Sequence, residues 1–139
     1  MIIVIRISGQ VEMHTYSKET LFRMHLRKKY SAVLLKEIKE NQPILQAVRN
    51  FVAYGKIDSK VLEELISKRA KPKDSKSIGR IDAKRVAEII EKDGIENAGI
   101  KPFFRLHPPR KGINSKLHYP KGVLGDNGEK INDLVRRML

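Results

Sequence analysis

No cysteine occurs in the chain's 139 residues. That excludes disulfides and thiolate metal sites, and it suits a reducing compartment. Long apolar runs are lacking too. The stretch from Ile2 to Ile7 is interrupted by Arg6 and is too short for a signal sequence or a membrane span, so the expected location is cytoplasmic. The motifs of common catalytic sites are missing: there is no phosphate-binding loop, no G-x-S-x-G and no G-x-G-x-x-G. The histidines are His14, His25, His107 and His118, and no two stand four residues apart. Neither a metal nor any other cofactor is expected, nor a small-molecule substrate. Asp126 and Glu129 are near neighbours, but a helix N-terminus, which favours negative charge, accounts for them.

Acidic residues are outnumbered: 16 Asp and Glu face 29 Lys and Arg, for a net charge of +13. Such a surplus repels itself in a compact fold, and a polyanionic partner relieves it. Nucleic acid leads, because cations on a phosphate surface release condensed counterions. An anionic membrane would call for a basic amphipathic helix with a bulky apolar face, or a lipidation motif. The sequence has neither. With 40% apolar residues, the chain can form one compact domain with an appended lobe.

Residues 2–7 (IIVIRI) are β-branched apart from Arg6 and predict a central strand that Gly9 ends. Ser17 is placed to cap a helix running through Lys29, with Leu21, Phe22, Met24 and Leu26 as its apolar residues. Residues 31–36 predict a second strand. Asn41 is placed to cap a second helix with Pro43 in its first turn, and Ile44, Val48, Phe51 and Val52 form its stripe. A third strand over Val52–Ile57 competes for the last of those residues. Crossovers of this kind put both helices on one face of the sheet and leave the other to the rest of the chain or to a partner. Asp58 then caps a helix carrying Val61, Leu62, Leu65 and Ile66, residues 67–80 read as a polar basic loop, and Asp82 caps a helix that Gly94 ends. Residues 97–125, with Pro102, Pro108, Pro109 and Pro120, are expected to be extended and irregular. Ile131, Leu134, Val135 and Met138 predict a last helix over 129–138. The fold class is α+β: a strand-helix-strand-helix-strand core over residues 1–57, then an extension of helices and extended basic chain over 58–139.

The stretch from Lys101 to Lys121 (KPFFRLHPPRKGINSKLHYPK) is the most informative. It carries Lys101, Arg105, Arg110, Lys111, Lys116 and Lys121, with no acid between Glu96 and Asp126. His107, His118, Phe103, Phe104 and Tyr119 are interleaved. Proline-restricted chain of this composition suits a surface laid on RNA, with cations on phosphates and flat side chains on sugars or unstacked bases. The plainer alternative is a solvated basic loop anchored by Phe103 or Phe104, and both can hold at once. A second cluster is Arg23, His25, Arg27, Lys28 and Lys29, where cations at a helix C-terminus need no ligand. A third, Lys68, Arg69, Lys71, Lys73, Lys76 and Arg80, reads as a solvated loop.

These residues also carry a family resemblance. IKPFFRLHPPRKG (Ile100–Gly112) and GVLGDNGEKINDLVRRML (Gly122–Leu139) resemble the long, archaeal and eukaryotic form of universal large-subunit ribosomal protein thirty, numbered seven in eukaryotes. GKIDSKVLEELISKR (Gly55–Arg69) is similar to that family's third-helix region, and IRISG and ETLFRMHLRKKYSAVLL stand in the expected places. The likeness spans nearly the whole chain. Departures are Tyr30 for an Asn, Asn41-Gln42-Pro43 for Asp-Thr-Pro, and Tyr54 for Trp; residues 70–99 match poorly. The resemblance implies a small ferredoxin-like core and a structural role in the large ribosomal subunit. The implied partners are large-subunit ribosomal RNA, the 5S RNA, and neighbouring ribosomal proteins. The expected RNA-binding residues are Arg27, Lys28, Lys29, Arg105, His107, Arg110, Lys111, Lys116, His118 and Lys121.

Two rivals differ in class. A phosphoryl-transfer enzyme on this fold would need a phosphate-cradling loop with an Arg before the first helix, and Ser8–Lys18 holds one Gly and no Arg. An RNA chaperone acting outside the ribosome would share the same basic surface.

Overall fold

The computed structural model describes residues 1–73 and 81–139. Lys76 and Arg80 of the third basic cluster lie outside the described residues. The core is β1 (Ile2–Arg6), α1 (Thr15–Arg23), β2 (Ser31–Leu35), α2 (Asn41–Val48) and β3 (Val52–Lys56). It continues into α3 (Ser59–Arg69), α4 (Ala83–Asp93), β4 (Phe104–Arg105), β5 (Gly125–Asp126) and α5 (Ile131–Met138). The fold is α+β, with a ferredoxin-like core as expected. The sheet order is β4-β2-β1-β3-β5. β1 is central, antiparallel to both β2 and β3, and the extension adds β4 antiparallel to β2 and β5 parallel to β3.

Strand alternation sorts the sheet into two apolar faces. Val4, Val33 and Val52 pack with Leu21, Leu26, Leu45 and Val48 beneath α1 and α2. Ile3, Ile5, Ile7, Leu34 and Ala53 meet Val61, Leu62, Leu65, Ile66, Ile131, Val135 and Met138 of α3 and α5. The rest of the chain therefore covers the second face. Phe104 joins that cluster at 1% exposure, so it is the aromatic that anchors the basic segment.

Several local expectations are corrected. α1 starts at Thr15, not after Ser17, because the Lys18 N–H already bonds the His14 carbonyl; Ser17 lies buried inside the helix. The helix stops at Arg23 instead of Lys29. Leu26 N–H reaches the Leu21 carbonyl and His25 N–H the Phe22 carbonyl, with His25 at φ +60. That is a Schellman closure, and Leu21 and Leu26 supply its buried apolar pair. Arg27, Lys28 and Lys29 consequently sit on a loop. Asn41 is helical instead of capping, its side-chain amide donating to the Lys36 carbonyl. The buried stripe of α2 is Leu45 and Val48; Ile44 is 40% exposed, and Val52 belongs to β3. Asp58 and Asp82 occupy N-cap positions with extended backbone but make no capping side-chain bond. Gly94 ends α4 at φ +95, as the sequence predicts. A 3-10 turn over Ile95–Ala98 was not foreseen. β4 stands within the stretch expected to be irregular, and β5 begins at its last residue, Gly125.

Candidate nucleic-acid interface

The register of the sheet decides where the basic segments meet. β1 ends at Arg6, opposite the start of β2 and the start of β3. Ser31 of β2 pairs with Arg105 of β4, and the Leu106 N–H donates to the Tyr30 carbonyl at 2.9 Å. The Arg27–Lys29 loop and the Arg105–His107 segment are thus neighbours at this end of the sheet. His107 and Arg110 continue along the last turn of α5, their N–H groups bonding the carbonyls of Met138 and Arg137. On the opposite edge, His118 Nε2 lies 2.9 Å from Asn50 Oδ1, just before β3. The chain from Lys116 to Lys121 is folded around it by the Gly122 N–H to His118 carbonyl bond.

All ten residues selected from the sequence are exposed. The ion pairs among the described residues are Lys56–Glu37 at 2.9 Å and Arg136–Glu64 at 3.9 Å, so none of the ten is neutralised by a salt bridge there. Three of them lie over aromatic rings instead. Arg27 sits 3.8 Å from the centroid of Phe22, Lys29 4.9 Å from Tyr30, and Arg105 5.7 Å from Phe103. Ring stacking leaves a guanidinium's edge free to donate, which is the geometry of phosphate recognition. Lys116, His118 and Lys121 stand apart from the Arg27–Lys29 group, across the width of the sheet. The structure brings the ten together at one end and splits them between its two edges.

Arg6 is the residue that sequence reading undervalued. It appeared only as a break in an apolar run, yet it is 3% exposed and organises the site. Its Nη1 donates to the carbonyls of Leu26 at 2.7 Å and Arg27 at 2.8 Å, its Nε to Ser8 at 3.0 Å, and its Nη2 to Gly9 at 3.1 Å. Burial pulls its pKa below the usual guanidinium value, but an arginine stays charged at neutral pH. One buried cation therefore fixes the loop that carries three exposed ones. Arg137 does the same for the far segment, donating from Nε to the Arg110 carbonyl at 3.0 Å and from Nη2 to that of Gly112. Its position on α5, off the Ile131–Met138 stripe, was the available signal.

The opposite end of the sheet is different. A groove of about 690 Å³ opens there, lined by Glu37, Asp126 and Glu129 together with Lys39 and Lys56. The Lys56 hydrogen bond holds the Glu37 carboxyl below its ordinary pKa and raises that of Lys56. Burial and the Asp126 charge push the Tyr54 hydroxyl up. This end therefore carries charges of both signs, in contrast to the uncompensated cations at the other.

No family model matches the chain. Its sequence is similar to proteins named large ribosomal subunit protein uL30. That of Archaeoglobus fulgidus is 38% identical over 151 residues, spanning 99% of both chains. That of Aeropyrum pernix is 34% identical, covering 98% of this chain and 97% of the relative. That of Methanobrevibacter smithii is 33% identical over the full length of both.

Proposed function

Because this chain belongs to the uL30 family of large ribosomal subunit proteins, we propose that the basic end of its sheet is the surface that holds it on ribosomal RNA. It is a structural constituent of the large subunit in the cytoplasm, and it is not an enzyme. Its partners are the subunit's RNA and the proteins beside it. The observation that carries the reading is the exposure of all ten basic and histidine residues at that end, with no salt bridge to them among the described residues. Arg27, Lys28, Lys29, Arg105, Arg110, Lys111, Lys116 and Lys121 supply phosphate contacts, which fix orientation and most of the affinity. His107 and His118 add flat polar surface for sugars or unstacked bases. The 5S RNA is a second contact to test beside the main RNA.

Filter binding of the purified protein to deproteinised large-subunit RNA across ionic strength tests this. Neutralising about eight to ten phosphates predicts a log–log slope on the order of −6 to −9. A slope near zero would refute an electrostatic interface. Parallel titration with isolated 5S RNA reads the second contact.

A further inference from the structure

The cluster that the sequence presents as a solvated loop acquires a shape in the fold. Residues 71–73 run antiparallel to residues 99–101: Pro72 bridges Ile100, the Lys73 N–H donates to the Gly99 carbonyl at 3.0 Å, and the Lys101 N–H to that of Lys71 at 2.9 Å. This places Lys71 and Lys101 side by side. They line a cleft of about 330 Å³ together with Lys68, Arg69, Arg105 and the half-buried Phe103. No Asp or Glu lines it among the described residues.

The C-terminal dipole of α3 accounts for two of these cations, Lys68 and Arg69. It does not account for Lys71, Lys101 and Arg105, which arrive from other segments. Arg69 is held in place by an Nη2 bond of 2.6 Å to a main-chain oxygen of Leu139, while its Nε is buried without a partner. Backbone pairing that forces like charges together, around a cavity with an aromatic wall, is unfavourable in isolation. An anion in the cleft removes the penalty.

Resting on the assignment of the basic end to RNA, we propose that this cleft at the β4 edge is a further RNA contact. It takes backbone phosphate between Lys68, Lys71 and Lys101, and a sugar or unstacked base against Phe103. The volume suits one nucleotide, and the aromatic wall distinguishes a nucleic acid from a bare anion. The cleft adjoins Arg105, so it extends the interface around the sheet edge and onto the end of α3.

The test is the triple variant K68Q/K71Q/K101Q in the full chain, compared with K18Q/K39Q/K84Q, which removes the same charge from exposed positions elsewhere. The cleft triple should weaken binding to deproteinised large-subunit RNA by on the order of tenfold or more at 0.1 M salt. It should also make the log–log salt slope shallower by about 2 to 3, since each lost phosphate contact removes roughly 0.7–0.9. The control triple should change the slope by less than half as much. Thermal melting of the cleft triple should be unchanged or higher, because self-repulsion falls, and this excludes misfolding as the cause. Phe103→Leu should leave the slope intact while abolishing ultraviolet crosslinking of this edge to RNA. A wild-type slope near zero would overturn both this proposal and the assignment it rests on. A steep wild-type slope that the cleft triple leaves unaltered would overturn this proposal alone. So would a triple that keeps RNA affinity yet fails to enter subunits, the outcome expected if an acidic protein neighbour fills the cleft.

Discussion

Arg6 shows how much one side chain can be asked to do. Its four backbone acceptors belong to two loops, and their carbonyls converge only when β1 has paired. Replacing it by Met keeps the length and removes every donor, leaving the Leu26 carbonyl buried without a partner. Hydrogen bonds from a charged donor and the desolvation of orphaned acceptors put the cost at about 2–4 kcal/mol. Urea denaturation should show it as a lower midpoint, and an unmoved midpoint would mean the loops hold themselves. Lys111 poses the opposite case. It is exposed, at φ +67, where a side chain is strained and glycine is not. Lys111→Gly should stabilise the free protein by about 0.5–1 kcal/mol while weakening its binding to RNA. Melting and filter binding would move in opposite directions. A variant that loses stability would show that Lys111 is held by contacts rather than tolerated for its charge.

Among the elements, α2 offers the sharpest check on which face is inside. Leu45 is 2% exposed and Ile44 40%. Leu45→Ala should cost about 2–4 kcal/mol and Ile44→Ala less than about 1, and equal costs in denaturant titrations would refute this packing. Gly55 ties the extension to the core. A Cβ there would stand 2.2 Å from the Gly128 carbonyl oxygen and 3.0 Å from Ile131. Asn132 closes the same junction, accepting from the Asp58 N–H and donating to the carbonyls of Lys56 and Glu129. Gly55→Ala should destabilise the protein by about 2–4 kcal/mol in one cooperative transition. Two separated transitions would mean that residues 1–57 and 58–139 fold independently. The order of core elements was legible because β-branched runs and helical spacing recur in residues 2–57. The end of α1 was not, because Leu26 fits a helical stripe as well as it fits a Schellman closure, and only tertiary packing puts His25 in the left-handed region. β4 and β5 span two residues each, too short to carry an alternation. The candidate cations were legible from charge alone, since uncompensated lysines and arginines have nowhere to go but the surface. Arg6 was not, because nothing local reveals which carbonyls will meet it.

At the scale of the whole molecule, the basic segment that carries part of the family resemblance is pinned by backbone and by Phe104, not by its cations. Leu106, His107 and Arg110 donate from their N–H groups, and Arg137 binds the Arg110 carbonyl. Replacing Arg105, Arg110 and Lys111 together by Ala therefore leaves those anchors in place. The free triple variant should melt within a few degrees of wild type. In competitive reconstitution of large subunits it should be disfavoured by roughly 2–4 kcal/mol, taking charge-assisted hydrogen bonds at about 1 kcal/mol each after solvent competition. Equal incorporation would mean that the segment faces away from RNA.

The short flanking strands have a consequence for the protein before it meets any RNA. An exposed five-residue edge is a template on which another chain can add a strand. Here the outer sides of β2 and β3 are occupied along part of their length by β4 and β5, and each newcomer presents two residues of its own edge. What remains open is too short to nucleate a fibril. Edge-to-edge addition of a second copy through the sheet is thus disfavoured in the free protein.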